Sequence, residues 1–438
     1  MNDLLSVEEA LDRILATIEG PVSTERVAVG DALGRVLAEP AMSATALPPW
    51  DNSAMDGYAI RSADVAGAQE TSPVVLAVVG EVRAGSAPDR VVGRGTAVRI
   101  ATGAPLPEGA DAVVPVEETT PVGADGGATG PRGRDATGPL AARVAVYRAV
   151  TVGGSIRQAG SDLAGGDRLL DPGMTLNPAR ISLLAGSAVD RVLVRRRPRV
   201  AVLATGDEIR APGQPLGAAG IPDANGPGLR ALVMTSDADA IDLGIAQDRL
   251  ADVRDRLAQG VATADAIIVS GGVSVGPYDV VREAFGALGT VDLWRVAVQP
   301  GKPFAFGLAK RSNDPPVLLF GLPGNPVSTF VTFELFVRPA IRKLAGDCEL
   351  GRQVDRAVLL GEAKKSPGRR AYLRVVAQRD QEGRIVRDER GRVPVRLAGG
   401  QGSHVISALA AAEALAIIPE DVDGVDAGTE VELWWLDR

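Results

Sequence analysis

Glycine turns and carboxylates recur together in the second half of this chain. Thr205-Gly206-Asp207-Glu208 and Asp248 each follow an apolar run. So do Ser270-Gly271-Gly272-Val273-Ser274-Val275-Gly276, with Asp279 just beyond, and Gly321-Leu322-Pro323-Gly324-Asn325-Pro326. Glycine lets backbone amides approach an anion closely, and a helix N-terminus adds favourable partial charge. Carboxylates beside such a cradle repel phosphate unless a divalent cation lies between them. Magnesium suits that place, being a hard ion that takes oxygen ligands. One glycine turn after a strand is ordinary structure. Several together, in the company of acids, point to a phosphate-bearing ligand with Mg2+.

Lysine is scarce beside arginine: Lys302, Lys310, Lys343, Lys364 and Lys365 are the five in the chain. A lysine kept against that bias is wanted as a compact point charge. Lys302 lies in Gln299-Pro300-Gly301-Lys302-Pro303, a turn that cannot be helical. On the residues alone it can bind an anion or simply face solvent. Lys364 and Lys365 read as solvated surface. Asp51 to Ala59 and Thr102-Gly103-Ala104-Pro105 read in isolation as plain turns, and His404 as a structural hydrogen-bond partner.

The elements that must present these groups follow from periodicity. Ser6 and Glu9 form a capping box before a helical run through Val7, Ala10, Leu11, Ile14 and Ile18. A second short helix is expected over Asp31 to Glu39. From Ala46 to Ala145 the pattern is strand-like, broken at 119–140 by a polar stretch that reads as an exposed, mobile loop. From Arg199, apolar runs at Val200–Ala204, Ala240–Leu243, Ala266–Val269 and Val317–Phe320 alternate with helical stretches at Gly228–Thr235, Leu250–Ala262, Val280–Leu288 and Val327–Leu344. That alternation predicts a mostly parallel sheet covered by helices, whose ligands bind beyond the carboxyl ends of the strands. After Gly346, strands at 372–378, 384–389 and 430–436 predict a small C-terminal β domain.

Composition narrows the chemistry further. A length of 438 residues suggests about three domains, and a net charge of −8 argues against a nucleic-acid partner. Cys348 and His404 stand alone, so there is no internal disulfide, no zinc centre and no Cys–His or Ser–His–Asp relay. The chain shows neither a secretory leader pattern nor an apolar run of about 18 residues. No membrane association and a cytoplasmic location are the expectations.

Seven segments together resemble one family. They are DNSAMDGYA (51–59), ATGAPLPEGADAVV (101–114), ATGDEI (204–209), SGGVSVG (270–276), QPGKPFAFG (299–307), GLPGNPVSTF (321–330) and GQGSH (400–404). In this order they resemble the molybdopterin molybdenumtransferase family, MoeA, which includes the gephyrin E domain. The resemblance implies an α/β multidomain protein: a linking and dimerisation domain (1–41 plus 167–197), a β-rich lid (42–166), an α/β molybdopterin-binding domain (198–350) and a small C-terminal β domain (351–438). It implies a homodimer whose active site is shared between subunits. The reaction implied is insertion of molybdate into adenylyl-molybdopterin with release of AMP, assisted by Mg2+.

Carried over residue by residue, the lid aspartate falls on Asp56, the lid threonine on Thr102 and a further lid acid on Asp162. The sheet-domain acids fall on Glu208, Asp248 and Asp279, the last two as Mg2+ contacts. Lys302, Arg374 and Ser403 fall on the molybdate site. The cradle for pyrophosphate and pterin phosphate is Thr205, Gly206, Ser270, Gly271, Gly272, Ser274, Pro323, Gly324, Asn325 and Pro326. Three departures stand out, one being the loop at 119–140, which is longer than a minimal member needs. Pro277 stiffens the turn before Asp279, and Gln299 stands where some relatives carry a second lysine. The alternatives are a molybdopterin adenylyltransferase, which would lack the lid and the C-terminal domain, and a non-catalytic scaffold. The adenylyltransferase is also a candidate partner. Against a scaffold stand the facing acids, whose mutual repulsion has no structural purpose.

Overall fold

The computed structural model describes residues 4–133, 139–272, 280–311 and 314–436. The short apolar runs become buried strands. Asp239–Ala246, Arg199–Thr205, Ala266–Ser270 and Val317–Leu322 lie side by side and parallel, so their carboxyl ends open at one edge. Pro303–Ala309 and Gly289–Arg295 then continue the sheet antiparallel. The sheet is therefore mixed rather than parallel throughout. A parallel half carries the glycine turns, and an antiparallel half leads out of the Lys302 turn. Close connections permit that antiparallel half, whereas parallel neighbours need crossover helices.

Helices Asn225–Met234, Leu250–Thr263 and Val280–Leu288 cover the sheet, with a run from Pro326 to Leu344 that includes a π-helical turn at Phe333–Val337. Leu229, Val233, Phe333 and Phe336 bury one face of the sheet; Val253, Leu257, Val281 and Phe285 bury the other. The π turn turns Glu334 inward with only 1% of its side chain exposed, where it meets Arg338 at 2.7 Å and Arg352 at 2.9 Å. Arg338 also donates to the Thr235 carbonyl at the end of a neighbouring helix, 3.1 Å away.

The first helix, Val7–Ala16, has the expected capping box. Its Val7, Ala10 and Ile14 pack into the same core as Phe333 and Phe336. Lys343 Nζ donates to the Leu15 carbonyl (2.7 Å), placing a cation at the negative end of the helix. This helix, with Ile18 and Val22 after it, thus joins the α/β unit, while residues 24–41 stay with 167–197. There Thr24–Ala28 pairs with Arg191–Arg195, and Ala41–Met42 with Arg168–Leu170. The helix expected over Asp31 to Glu39 does not form. Gly34 takes φ +74°, and Leu37 N–H bonds across to the Met174 carbonyl (3.0 Å) instead of within a helical turn.

The lid is a six-stranded sheet in the order Ala112–Pro115, Gly57–Ile60, Thr96–Ile100, Val74–Val82, Arg143–Val146, Thr119–Val122. Its ends meet: Ser43 N–H bonds to Asp167 O (2.8 Å) and Gly166 N–H to Ser43 O (2.9 Å). The stretch read as an exposed loop begins with a buried strand, Thr119–Val122. Arg132 holds the next part down. It donates to Glu118 (2.7 Å) and the Glu117 carbonyl (3.1 Å), pairs with Glu70 and lies 4.5 Å over the Tyr147 ring. Polar anchoring replaced the apolar face whose absence suggested mobility. Residues 134–138 lie outside the described residues.

At the C-terminus five strands close into a barrel: Val354–Leu359, Arg370–Ala377, Val393–Leu397, Ala414–Ile418 and Glu430–Trp435. The strand expected at 384–389 is not one of them. A turn closed by a single bridge, Arg379 to Ile385, occupies that place. Val298–Gln299 adds in parallel to the start of Arg370–Ala377, so one strand of the barrel reaches back to the α/β unit. Among the described residues, no helix is long and apolar enough to cross a membrane.

Candidate functional site

The parallel strand ends come together as two facing loops. A Cβ on Gly271 would lie 2.7 Å from the Thr205 carbonyl oxygen, and one on Gly272 would lie 2.5 Å from Val281 Cγ2. Both glycines have positive φ, +94° and +65°, so a larger residue would be strained twice over. Thr205 Oγ1 donates weakly to the Ser270 carbonyl (3.4 Å). Across the gap, Gly324 faces Gly271. Asn325 and Pro326 begin the long helical run, and Pro323 O accepts a bond from Thr329 Oγ1 (2.5 Å). Asn225 Nδ2 bridges both loops, donating to Ser270 Oγ and to Gly324 O at 2.7 Å each. Sequence reading missed Asn225. Its signal was Asp223-Ala224-Asn225-Gly226, where Asp223 accepts the Gly226 N–H (2.8 Å) at the start of a helix.

The acids gather beside this cradle. Asp248 N–H donates to Asp207 Oδ1 (3.2 Å), so Asp207, which sequence reading left out of the site, helps set the loop. The Glu208 carboxylate folds over Gly206, its oxygens 2.9 Å from where a Cβ would stand. Burial pushes the Asp248 carboxyl above its ordinary range, and the charges of Asp207 and Glu208 push the same way. No lysine or arginine forms an ion pair with any of the three among the described residues. No group of three or more acids, histidines or cysteines there makes a ready metal cage. Ser274, Pro277 and Asp279 lie outside the described residues.

Lys302 is half-buried and forms no ion pair among the described residues. Its carbonyl accepts the Val296 N–H (3.0 Å). Gly301, at φ +118°, packs so closely that a Cβ would stand 2.6 Å from Thr332 Cγ2. The other lysines divide. Lys310 and Lys364 are exposed. Lys365, expected in solvent, instead donates to the carbonyls of Arg369 (2.8 Å) and Glu420 (3.4 Å), because two carbonyls converge on its Nζ.

The Arg374 side chain is buried, at 1% exposure. Its Nη2 donates to the Gly400 and Gly402 carbonyls, both at 3.1 Å, while Gln401 brackets the Arg374 backbone. Burial lowers its pKa, and its Nε has no hydrogen-bond partner among the described residues. The guanidinium therefore shapes the loop that carries Ser403, and the Ser403 carbonyl accepts the Val327 N–H (3.1 Å) at the cradle helix. His404 is exposed. Its side chain makes no hydrogen bond among the described residues, so the structural role expected of it passes to its carbonyl, which accepts from Ile406 N–H (3.0 Å).

In the lid, Asp56 Oδ1 accepts from both the Thr102 backbone N–H (2.7 Å) and Thr102 Oγ1 (3.0 Å). Asp162 is exposed beside Leu47, whose carbonyl takes its N–H (3.0 Å). Among the described residues, no hydrogen bond or ion pair links Asp56, Thr102 or Asp162 to the cradle. The chain thus brings together Thr205, Gly206, Glu208, Asp248, Ser270, Gly271, Gly272 and Pro323 to Pro326. Ser403 joins them through the helix, and the lid residues stay on a separate unit.

Three family descriptions match successive stretches: the MoeA N-terminal region (domain I and II) over 5–188, a probable molybdopterin binding domain over 201–343 and the MoeA C-terminal region (domain IV) over 356–436. The Mycobacterium tuberculosis protein named Molybdopterin molybdenumtransferase 2 is 36% identical over 437 residues, which is 98% of this chain and 99% of that one. A Haemophilus influenzae protein named Molybdopterin molybdenumtransferase is 33% identical, covering 98% of each chain. The crystal structure of a molybdopterin biosynthesis moeA protein from Pyrococcus horikoshii OT3 superposes with a TM-score of 0.77. It is 28% identical, over 99% of this chain and 100% of that one.

Proposed function

Since this chain belongs to the MoeA family, we propose that it is a molybdopterin molybdenumtransferase, converting adenylyl-molybdopterin and molybdate into molybdenum cofactor and AMP. One observation carries the reading. A close-packed glycine cradle lies beside carboxylates that lack cationic partners among the described residues, so the site is built for a phosphate ester together with a positive charge it does not itself supply. The backbone around Gly271, Gly272 and Gly324 would approach the pyrophosphate and pterin phosphate. Thr205, Ser270 and Asn225 keep those loops at their spacing, with Ser274, Asn325 and Pro326 completing the binding set.

Asp248 and Asp279 are the proposed Mg2+ contacts, with Glu208 close by. The chemistry of Asp248 and Glu208 suits that ion, which keeps most of its waters and needs only one or two carboxylates beside a phosphate. Bound there, Mg2+ would neutralise the anhydride between pterin phosphate and AMP. Lys302 would face the molybdate oxyanion with Ser403, while Arg374 holds the Ser403 loop in shape.

Asp56, with Thr102 fixing its carboxylate, and Asp162 would act from the lid of a second copy. The separation of lid and cradle within one chain supports a homodimer. A cytoplasmic enzyme supplied by the molybdopterin adenylyltransferase completes the proposal. The test is AMP release from adenylyl-molybdopterin and Mg2+, with and without molybdate. Release that requires molybdate is the expected result. Tight pterin binding without release would overturn the enzymatic reading in favour of a carrier.

A further inference from the structure

We propose that Gln299 is a positioning residue for Lys302, holding the lysine turn through a hydrogen bond across the joint between the α/β unit and the barrel. The inference rests on the reading of Lys302 as the cation that faces the oxyanion. Gln299 Oε1 accepts the Ser366 backbone N–H at 2.7 Å, in a partly buried setting. Ser366 is itself held, because Lys365 beside it donates from its backbone to the Asp423 carbonyl (3.2 Å) and from Nζ to the Arg369 carbonyl (2.8 Å).

The backbone gives the bond its leverage. Val298 and Gln299 pair in parallel with Arg370 and Ala371, and Arg370 N–H bonds to the Ala297 carbonyl (2.8 Å). The same barrel strand, Arg370–Ala377, carries Arg374, which shapes the Ser403 loop. One strand pairing therefore sets the spacing between Lys302 and the other groups proposed for the oxyanion. On its far side the turn is confined by the contact between Gly301 and Thr332. With one side blocked by packing, the side that can move is the one Gln299 ties. A lysine at 299 would have only N–H donors and could not accept this bond. Glutamine accepts it while adding no charge beside an anion.

Gln299→Met keeps the side-chain length and removes the acceptor. In the AMP-release assay it should raise the KM for molybdate roughly fivefold, the share of one ordinary hydrogen bond. The KM for adenylyl-molybdopterin and kcat at saturating molybdate should stay at parent values, and the thermal midpoint should fall only as far as the loss of one partly buried hydrogen bond requires. Lys302→Ala should raise the molybdate KM further, and adding Gln299→Met to it should change nothing more, because the effect runs through the lysine. An unchanged molybdate KM in Gln299→Met, beside a raised one in Lys302→Ala, overturns the positioning role alone. Independent, multiplying effects also overturn it, since Gln299 would then act by itself. A Lys302→Ala variant with parental molybdate KM overturns the assignment of Lys302 and this inference with it. Molybdate-dependent AMP release by the parent chain would still uphold the function.

Discussion

Two groups of acids in this molecule are treated in opposite ways. At the carboxyl ends of the parallel strands, Asp207, Glu208 and Asp248 stand together without cationic partners among the described residues, and Asp248 is pushed up by burial and by its neighbours. Away from the cradle, Glu334 and Asp355 are gripped. Burial acts to raise Glu334, but hydrogen bonds from Arg352 and the charge of Arg338 outweigh it and hold the carboxyl below its usual range. Asp355 is held at about 2, first by the Arg387 guanidinium at 2.6 Å. The difference separates acids that hold the fold from acids that oppose it. A cluster left repelling itself lowers stability, and such strain is kept where a ligand relieves it.

The comparison can be tested from its structural side first, where the effect should be largest. Glu334→Gln strips the carboxylate from the buried Arg338 and the partly buried Arg352, and such a loss costs about 3–5 kcal/mol. Denaturant unfolding should show it, with AMP release per folded molecule unchanged. A loss under about 1 kcal/mol would mean that the π turn is held by its apolar neighbours instead.

Asp248→Asn should do the reverse. Turnover should fall about 100-fold, the scale of one electrostatic group removed from a reacting centre. The thermal midpoint without Mg2+ should hold or rise, because a repelling charge has gone. A lower midpoint would move Asp248 to the structural class.

Arg387→Ala is the smallest of the three. The folded value of Asp355 lies below its ordinary 3.8, so the pair stabilises the fold above about pH 4 and loses that contribution as the pH falls toward 2. The variant should lose about 1 kcal/mol or less at neutral pH. Its deficit should shrink steadily in acid. A deficit independent of pH would mean that packing of the arginine, not its charge, is what Asp355 gains.

Much of the site was legible because its signals are local. A glycine turn after an apolar strand announces itself within a few residues, as at Ser270-Gly271-Gly272, and so does the Ser6–Glu9 capping box. What stayed hidden depends on distant partners. Asn225 matters through Ser270 and Gly324, 45 and 99 residues away, and Gln299 through Ser366, 67 residues away. The antiparallel half of the sheet was missed because Pro300 and Gly301 drew attention to the turn and away from the strand that follows. The absent helix at Asp31 to Glu39 shows the converse. Its residues permit a helix, but Gly34 and the strands beside it offered better hydrogen bonds.

The lid enters and leaves the molecule through one doorway, with Ser43 bonded to both Gly166 and Asp167. In evolutionary terms that makes it a cassette. An ancestral chain could have acquired it between two adjacent residues without re-threading anything else. A lid from a relative could be exchanged the same way, bringing its own acids to an unaltered cradle.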